Sequence, residues 1–563
     1  MADLLVRGGT VVDGTGAPAV RADVRVRAGR IVEVALGLRP DGEPELDASG
    51  ALVTPGFIDS HTHYDPSLFW DSFADPMPLH GITTLLVGSC SLSLAPVRAE
   101  QRELLTEVFC YIEDLPTSTF EAAIPWTWES YSEYVPALEG DGLGLNVVTL
   151  VGHTALRMFV LGDEAWERPS TENERAAIAQ LLDGCLEAGA YGMSTSLGFD
   201  VHPDRGPVPS RVADDEELGA LIDRLAARDR LLQFIPSPGN KALRRDVQRM
   251  ADLTGPAGVT STWINIFHDD ANPELAGELL DFAAGLQEQG VPTYPQVSPR
   301  TLDMRVNWSG GMSFAKLPDG WFRFVRAGDE EKRHLVDDPA WRAVARDEWD
   351  RVPWAIIPHK DPSRIRLIDA QTADGARFVG ASLADLAAER GGHPSDVLAD
   401  WVKENDFSPG IVGVGVANSD PEGVAFTLKH PAAVVSNSDA GAHLGMMCGA
   451  GDSTLLLTRH VRDRADMTIE DGVRALTGRQ AELLNLSDRG TIIEGNQADL
   501  AVFALDELTW AADEFVEDLP AGGARLRRPA GGYRATVVGG VPTTEAGKDT
   551  GARPGTVLRA GRE

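Results

Sequence analysis

Gly56-Phe57-Ile58-Asp59-Ser60-His61-Thr62-His63 reads as an apolar strand that runs out into two histidines. Side chains two apart on an extended chain share a face, so both imidazoles can reach one ion. Imidazole is a good ligand for zinc and similar metals. Far downstream, Val434-Val435-Ser436-Asn437-Ser438-Asp439 closes a second apolar run on a carboxylate. Such a carboxylate can bind a metal and take a proton from water. Cys90, in Gly88-Ser89-Cys90, follows a third apolar run. A His-x-His pair alone can be an ordinary polar strand end. Three such ends together point to a metal site.

Outward from these runs, the middle of the chain alternates apolar strands with amphipathic stretches, which predicts βα units and a parallel sheet. Strands are expected at 56–63, 83–89, 146–153, 192–197, 231–236, 261–268, 291–298 and 432–439, and helices at 174–189 and 215–228. About eight such units make an α/β fold of the (β/α)8 TIM-type barrel class, with its site at the C-terminal ends of the strands. His61, His63, Cys90, His153, His268 and Asp439 all fall at such ends. The barrel is expected over 55–485. Residues 303–430 are too long for one βα connection and carry Trp308, Trp321, Trp341, Trp349 and Trp354. They read as a helical insertion, either a cover over the barrel mouth or a packed accessory layer. Residues 1–54 and 486–563 share a texture of short alternating strands, which predicts a small β-sandwich domain built from both termini.

The chain has 563 residues, 43% hydrophobic and 24% charged, with 85 acidic residues against 51 basic ones and a net charge of −34. Such a surface repels nucleic acid and anionic lipid, so neither is expected as a partner. No apolar run is long enough to span a bilayer, and the run from Met1 to Gly9 lacks the basic and apolar regions of a signal peptide. A cytoplasmic location is expected, with a small-molecule substrate and with homo-oligomerisation left open. Four cysteines do not make a disulfide framework.

Longer motifs carry a family resemblance. They are Gly8-Gly-Thr-Val-Val-Asp-Gly-Thr-Gly16, Val53-Thr-Pro-Gly-Phe-Ile-Asp-Ser-His-Thr-His-Tyr-Asp65, His80-Gly-Ile-Thr-Thr84, Gly88-Ser-Cys-Ser-Leu-Ser-Leu-Ala-Pro96, Leu150-Val-Gly-His-Thr-Ala-Leu-Arg157 and Gly192-Met-Ser-Thr-Ser-Leu197. The chain resembles the amidohydrolase superfamily, and within it the D-aminoacylase (N-acyl-D-amino-acid deacylase) group. The resemblance implies a distorted barrel with a small β-domain, and a metal-dependent hydrolase that cleaves an amide C–N bond. It also implies that a cysteine, here Cys90, takes the place of a carboxylated lysine; the first lysine of the chain is Lys241. A thiolate there is a strong zinc ligand.

The chain departs from that group at three places. Strand five, Leu232-Gln-Phe-Ile-Pro-Ser-Pro238, has no histidine; Asp270 stands where a carboxylate-binding lysine is expected; and Phe199 replaces a tyrosine. The expected metal ligands are therefore His61, His63, Cys90, His268 and Asp439, holding one divalent ion, zinc, with Asp439 also the catalytic base. His153, Arg157, His202, Tyr294, Arg300 and His443 are candidate substrate-binding residues. Alternatives are a cyclic amide or imide hydrolase, a lyase on the same scaffold, and a catalytically silent ligand-binding homologue.

Overall fold

The computed structural model describes residues 2–140, 142–309, 312–352, 358–436 and 438–561. Trp354 and Asn437, singled out above, lie outside them. One curled sheet holds eight parallel strands: β1 (Phe57–Asp59), β2 (Ile82–Val87), β3 (Asn146–Gly152), β4 (Gly192–Ser196), β5 (Leu231–Ile235), β6 (Ser261–Trp263), β7 (Thr293–Val297) and β8 (Val434–Val435). Neighbours in the chain are neighbours in the sheet. Strands β2 to β5 are buried at every position. Helices on the outer face and side chains inside the barrel demand this, and it is why these segments read as near-continuous apolar runs.

All eight expected strands are present, but several are shorter than their apolar runs. β1 stops at Asp59, β6 at Trp263 and β8 at Val435. Beyond those points the chain leaves the ladder to build the rim. β1 and β8, the outer strands of the sheet, meet there through a parallel bridge between Thr62 and Ala440. The His63 N–H donates to Ala440 O at 2.8 Å, and Ser60 Oγ lies 2.8 Å from Ser436 Oγ. The sheet is thus drawn together at the rim that carries His61, His63 and Asp439.

Local signals fix the helices. Glu172–Ala188 begins in a capping box of Thr171 and Glu174 and ends at Gly189, whose φ of 117° only glycine adopts cheaply. Around the barrel, one seven-stranded sheet mixes both ends of the chain, with Leu52–Pro55 antiparallel to Leu500–Phe503. A four-stranded N-terminal sheet shares its core, which includes Val24, Val26, Val53, Leu500 and Val537. Residues 303–430 hold an antiparallel three-stranded sheet and helices such as Leu383–Arg390 and Pro394–Glu404. Trp308, Trp321, Trp341 and Trp349 form their own core there together with Met446 and Met447, which follow Asp439 in the chain. The insertion is therefore a packed layer that grips the site loop. No helix among the described residues is long and apolar enough to cross a membrane.

Candidate metal centre

The turn after β2 sets Cys90. Gly88 has φ 82°, and a Cβ there would fall 2.1 Å from Leu150 O, so no side chain fits. Cys90 itself takes φ 57°, a costly conformation for a non-glycine residue that surrounding bonds must hold. One such bond runs from the Cys90 N–H to Gln233 Oε1 on β5, at 2.8 Å. Cys90 Sγ then lies 3.2 Å from His61 Nε2. Asp439, also at φ 57°, brings Oδ1 to 3.2 Å from His63 Nε2 and 3.7 Å from His61 Nε2. Ligand atoms of His61, His63 and Cys90 all lie within 4.8 Å of one another. Two imidazoles and a sulfur thus cluster, and the Asp439 carboxylate stands beside the two histidines.

Partners behind the histidines aim them. Gln296 Oε1 on β7 lies 2.8 Å from His61 Nδ1, and buried Glu113 brings Oε1 to 2.9 Å from His63 Nδ1. The Gln296 oxygen at His61 Nδ1 favours the tautomer whose Nε2 lone pair faces inward, the arrangement metal-binding histidines use, while Glu113 meets His63 as a charge and not through a hydrogen bond between these two atoms. Burial pushes the His61 imidazole down to about 4 and the Cys90 thiol up to about 12. At His63 burial works the other way from its neighbours, and Glu113, Cys90 and Asp439 together hold its imidazolium well above the usual range. Burial would also raise Asp439, but the His63 hydrogen bond and the surrounding imidazoles hold it well below the usual carboxylate range. The cluster favours positive charge at its centre. A divalent cation among these donors would meet that preference and turn the thiol into a thiolate, so the residues present fit a metal ion.

The other residues singled out from sequence are spread more widely. His268 stands apart from the cluster because β6 ends early. Its Nε2 faces Asp270 at 3.8 Å and Asp420 at 3.7 Å. His153 begins the helix His153–Leu161 rather than closing β3. It is fully buried and lies 2.8 Å from Glu217 Oε1, while Arg157 donates to Glu217 Oε2 at 2.5 Å. Both face a buried ion-pair network and not the rim. Tyr294 is the second residue of β7, so it sits at the other end of the barrel, under the Arg479 guanidinium at 4.9 Å. Arg300 is buried, donating to Ser438 O at 2.9 Å, with Nε 3.6 Å from Asp452; it clamps the strand end that carries Asp439. His443 faces Asp439 at 3.9 Å. Asp270 does not present a bare negative charge, because Arg364 of the insertion lies 3.2 Å from it. Phe199 is 40% exposed.

His202 lines a cleft of about 700 Å³ together with Asp114, Arg305, Asn307, Trp308, Gly445 and Phe515. These come from the segments after β2, β4, β7 and β8 and from the C-terminal hairpin, so the cleft opens at the strands' C-terminal ends. Two of its lining residues neighbour, in the chain, residues that pack against the metal cluster. Asp114 follows Glu113, Gly445 is two residues past His443, and the Leu444 N–H donates to Glu113 O at 3.2 Å. A cavity of about 770 Å³ lies at the opposite end, beside Leu231 and Thr260 where strands begin, away from the convergent donors. Sequence reasoning missed Glu113, Gln296, Gln233 and Asp114. Gln233 and Gln296, polar residues inside apolar barrel strands, were the available signal; Glu113 and Asp114 gave none.

A model of the amidohydrolase family matches residues 45–544. An uncharacterized protein of Mycobacterium tuberculosis (strain ATCC 25618 / H37Rv) is 32% identical over 95% of this chain and 90% of its own. The N-acyl-D-glutamate deacylase of Alcaligenes xylosoxydans xylosoxydans is 29% identical over 91% of this chain and 90% of its own. Among solved structures, the N-acyl-D-glutamate deacylase from Bordetella bronchiseptica, complexed with zinc and a phosphonate mimic of the tetrahedral intermediate, superposes with a TM-score of 0.66. It is 25% identical and the match covers 99% of this chain and 100% of that one. D-aminoacylase has the same fold, with a TM-score of 0.68 at 23% identity over 99% of this chain and 100% of that one.

Proposed function

The chain belongs to the amidohydrolase family, hydrolases of carbon–nitrogen bonds, and from that premise we propose that it is a metal-dependent deacylase of N-acyl amino acids. The observation that carries this reading is the cluster of His61, His63 and Cys90, whose ligand atoms lie within 4.8 Å of one another, with Asp439 Oδ1 3.2 Å from His63 Nε2. Sulfur and imidazole donors in a small buried site favour zinc over magnesium or calcium. The likeness to N-acyl-D-glutamate deacylase over nearly the whole chain supports the N-acyl amino acid class.

Lewis acidity toward water and toward the scissile carbonyl is the chemistry such an ion supplies when bound. The chain's own residues do the rest. His61, His63 and Cys90 would hold the ion, with Gln296 hydrogen-bonded to His61 and the Glu113 charge beside His63. Asp439, ionised and next to His63, accepts a proton from the attacking water as the new C–O bond forms. It returns the proton to the amide nitrogen as the C–N bond breaks, because an amine leaves only when protonated. His443, facing Asp439 from the loop side, steadies the carboxylate. The cleft beside Asp114 receives the substrate.

Elemental analysis of protein purified without added metal, joined to a panel of N-acyl amino acids, neutral amides and cyclic imides, tests the reading. It expects about one zinc per chain and turnover of N-acyl amino acids. Turnover confined to cyclic imides would move the assignment to ring opening. No metal, and no activity after zinc, manganese or iron is added, would leave a silent binding homologue.

A further inference from the structure

Asp439 carries its carboxylate on a left-handed backbone, at φ 57°, which a non-glycine residue keeps only when its surroundings impose it. Its own N–H donates to His61 O at 3.3 Å. Much of the remaining hold comes through the residue before it. Ser438 O accepts from the buried Arg300 guanidinium at 2.9 Å. Gly449 packs on the same carbonyl. A Cβ there would fall 1.9 Å from Ser438 O and 2.9 Å from both Ala440 N and the Asp439 carbonyl carbon, so no side chain fits. One side chain brackets Gly449 in turn. Arg528, 3% exposed, donates from Nη2 to Cys448 O at 3.1 Å and from Nε to Ala450 O at 2.9 Å, the carbonyls before and after Gly449. Its Nη1 donates to Ala511 O, and its guanidinium lies over the Trp510 ring, 4.1 Å from the centroid. A planar fork bonded through all three nitrogens has little freedom to move. Arg528 directly follows the C-terminal strand Gly523–Arg527, far from Asp439 in the chain.

We propose that Arg528 is a positioning residue for the base. By holding Gly449 against Ser438, Asp439 and Ala440, it keeps Asp439 in the left-handed conformation that places Oδ1 3.2 Å from His63 Nε2. Arg300 supports the same conformation through Ser438 O. The part played by Asp439 rests on the deacylase reading, but the hold on its backbone rests on these contacts alone.

The test is Arg528→Met, which keeps the stem and removes every donor. It is read by the crystal structure of the variant, and by kcat, KM and metal content with an N-acyl amino acid that the wild type turns over. Asp439 Oδ1 should move from His63 by about 1 Å or more, and kcat should fall by about 100-fold, with KM and metal content near wild type. Should Arg528→Met fail to fold, Arg528→Lys, whose single nitrogen cannot serve both carbonyls in the same geometry, and Gly449→Ala take its place with the same expectations. Either readout at its wild-type value overturns the proposal, a lowered melting temperature notwithstanding, and so does loss of metal in step with kcat. Should the wild type turn over no amide, the deacylase reading fails by itself. The variant crystals then decide alone: a displaced Asp439 upholds the proposal, and an unmoved one overturns it.

Discussion

Glu113 Oε1 lies 2.9 Å from His63 Nδ1, and on the opposite side of the same ring His63 Nε2 lies 3.2 Å from Asp439 Oδ1. One imidazole therefore links a carboxylate behind the site to the proposed base within it. Glu113 comes from the segment after β2 and Asp439 from the end of β8, so this line ties the two halves of the barrel rim together.

Glu113→Gln removes the charge that fixes His63 while keeping the size of the side chain. Chelator competition should show metal affinity weakened by about 10–100-fold. The same measurement on Gln296→Leu should give a loss of similar size, because His61 Nδ1 then has no acceptor. Wild-type affinity in both variants would mean that the imidazoles are held by packing alone.

Asp439→Asn should keep the fold and lose about two to four orders of magnitude in kcat, since an amide cannot accept the proton of water. Melting temperature and kcat read the two effects separately. Undiminished turnover would remove Asp439 from the mechanism.

The buried group of Glu217, His153 and Arg157 should matter for stability and not for metal binding. Arg157→Met leaves Glu217 short of its cation and should cost about 3–5 kcal/mol of stability, with metal content unchanged. The network also sets a response to acid. Burial opposes it, but the His153 hydrogen bond and the Arg157 charge lower Glu217 to about 2, against 4.5 for the free side chain. The unfolded chain thus binds the proton first, and stability present above pH 4.5 is lost as pH falls toward 2. Burial lowers His153 as well, which adds loss of the same sign from below pH 6.5. Denaturation followed from pH 8 down to 3 should show this fall flattened in Glu217→Gln relative to wild type; parallel curves would contradict it.

The barrel was legible because parallel strands buried on both faces leave long apolar runs, and because amphipathic stretches such as 174–189 lie between them. His61, His63, Cys90 and Asp439 were legible because each follows such a run. What sequence could not give is direction and distance. Tyr294 and Gln296 both lie on β7, but Tyr294 is near its start and Gln296 near its end, and only the latter reaches His61. His153 and Arg157 follow β3 closely, yet the helix begun at His153 turns them onto Glu217. His268 was placed at a strand end, but β6 stops at Trp263 and the irregular stretch beyond carries the ring away. Glu113 belongs to no motif; only folding brings it to a histidine fifty residues earlier in the chain.

The central claim is that Cys90 and the two histidines share one metal ion. Absorption spectroscopy of the cobalt(II)-loaded protein tests it most directly, because a cobalt–thiolate bond gives an intense near-ultraviolet charge-transfer band that nitrogen and oxygen ligands do not. The account predicts this band at about one cobalt per chain and its loss in Cys90→Ser while His61 and His63 still hold the ion. Cobalt bound without the band, or a band that persists in Cys90→Ser, would contradict it.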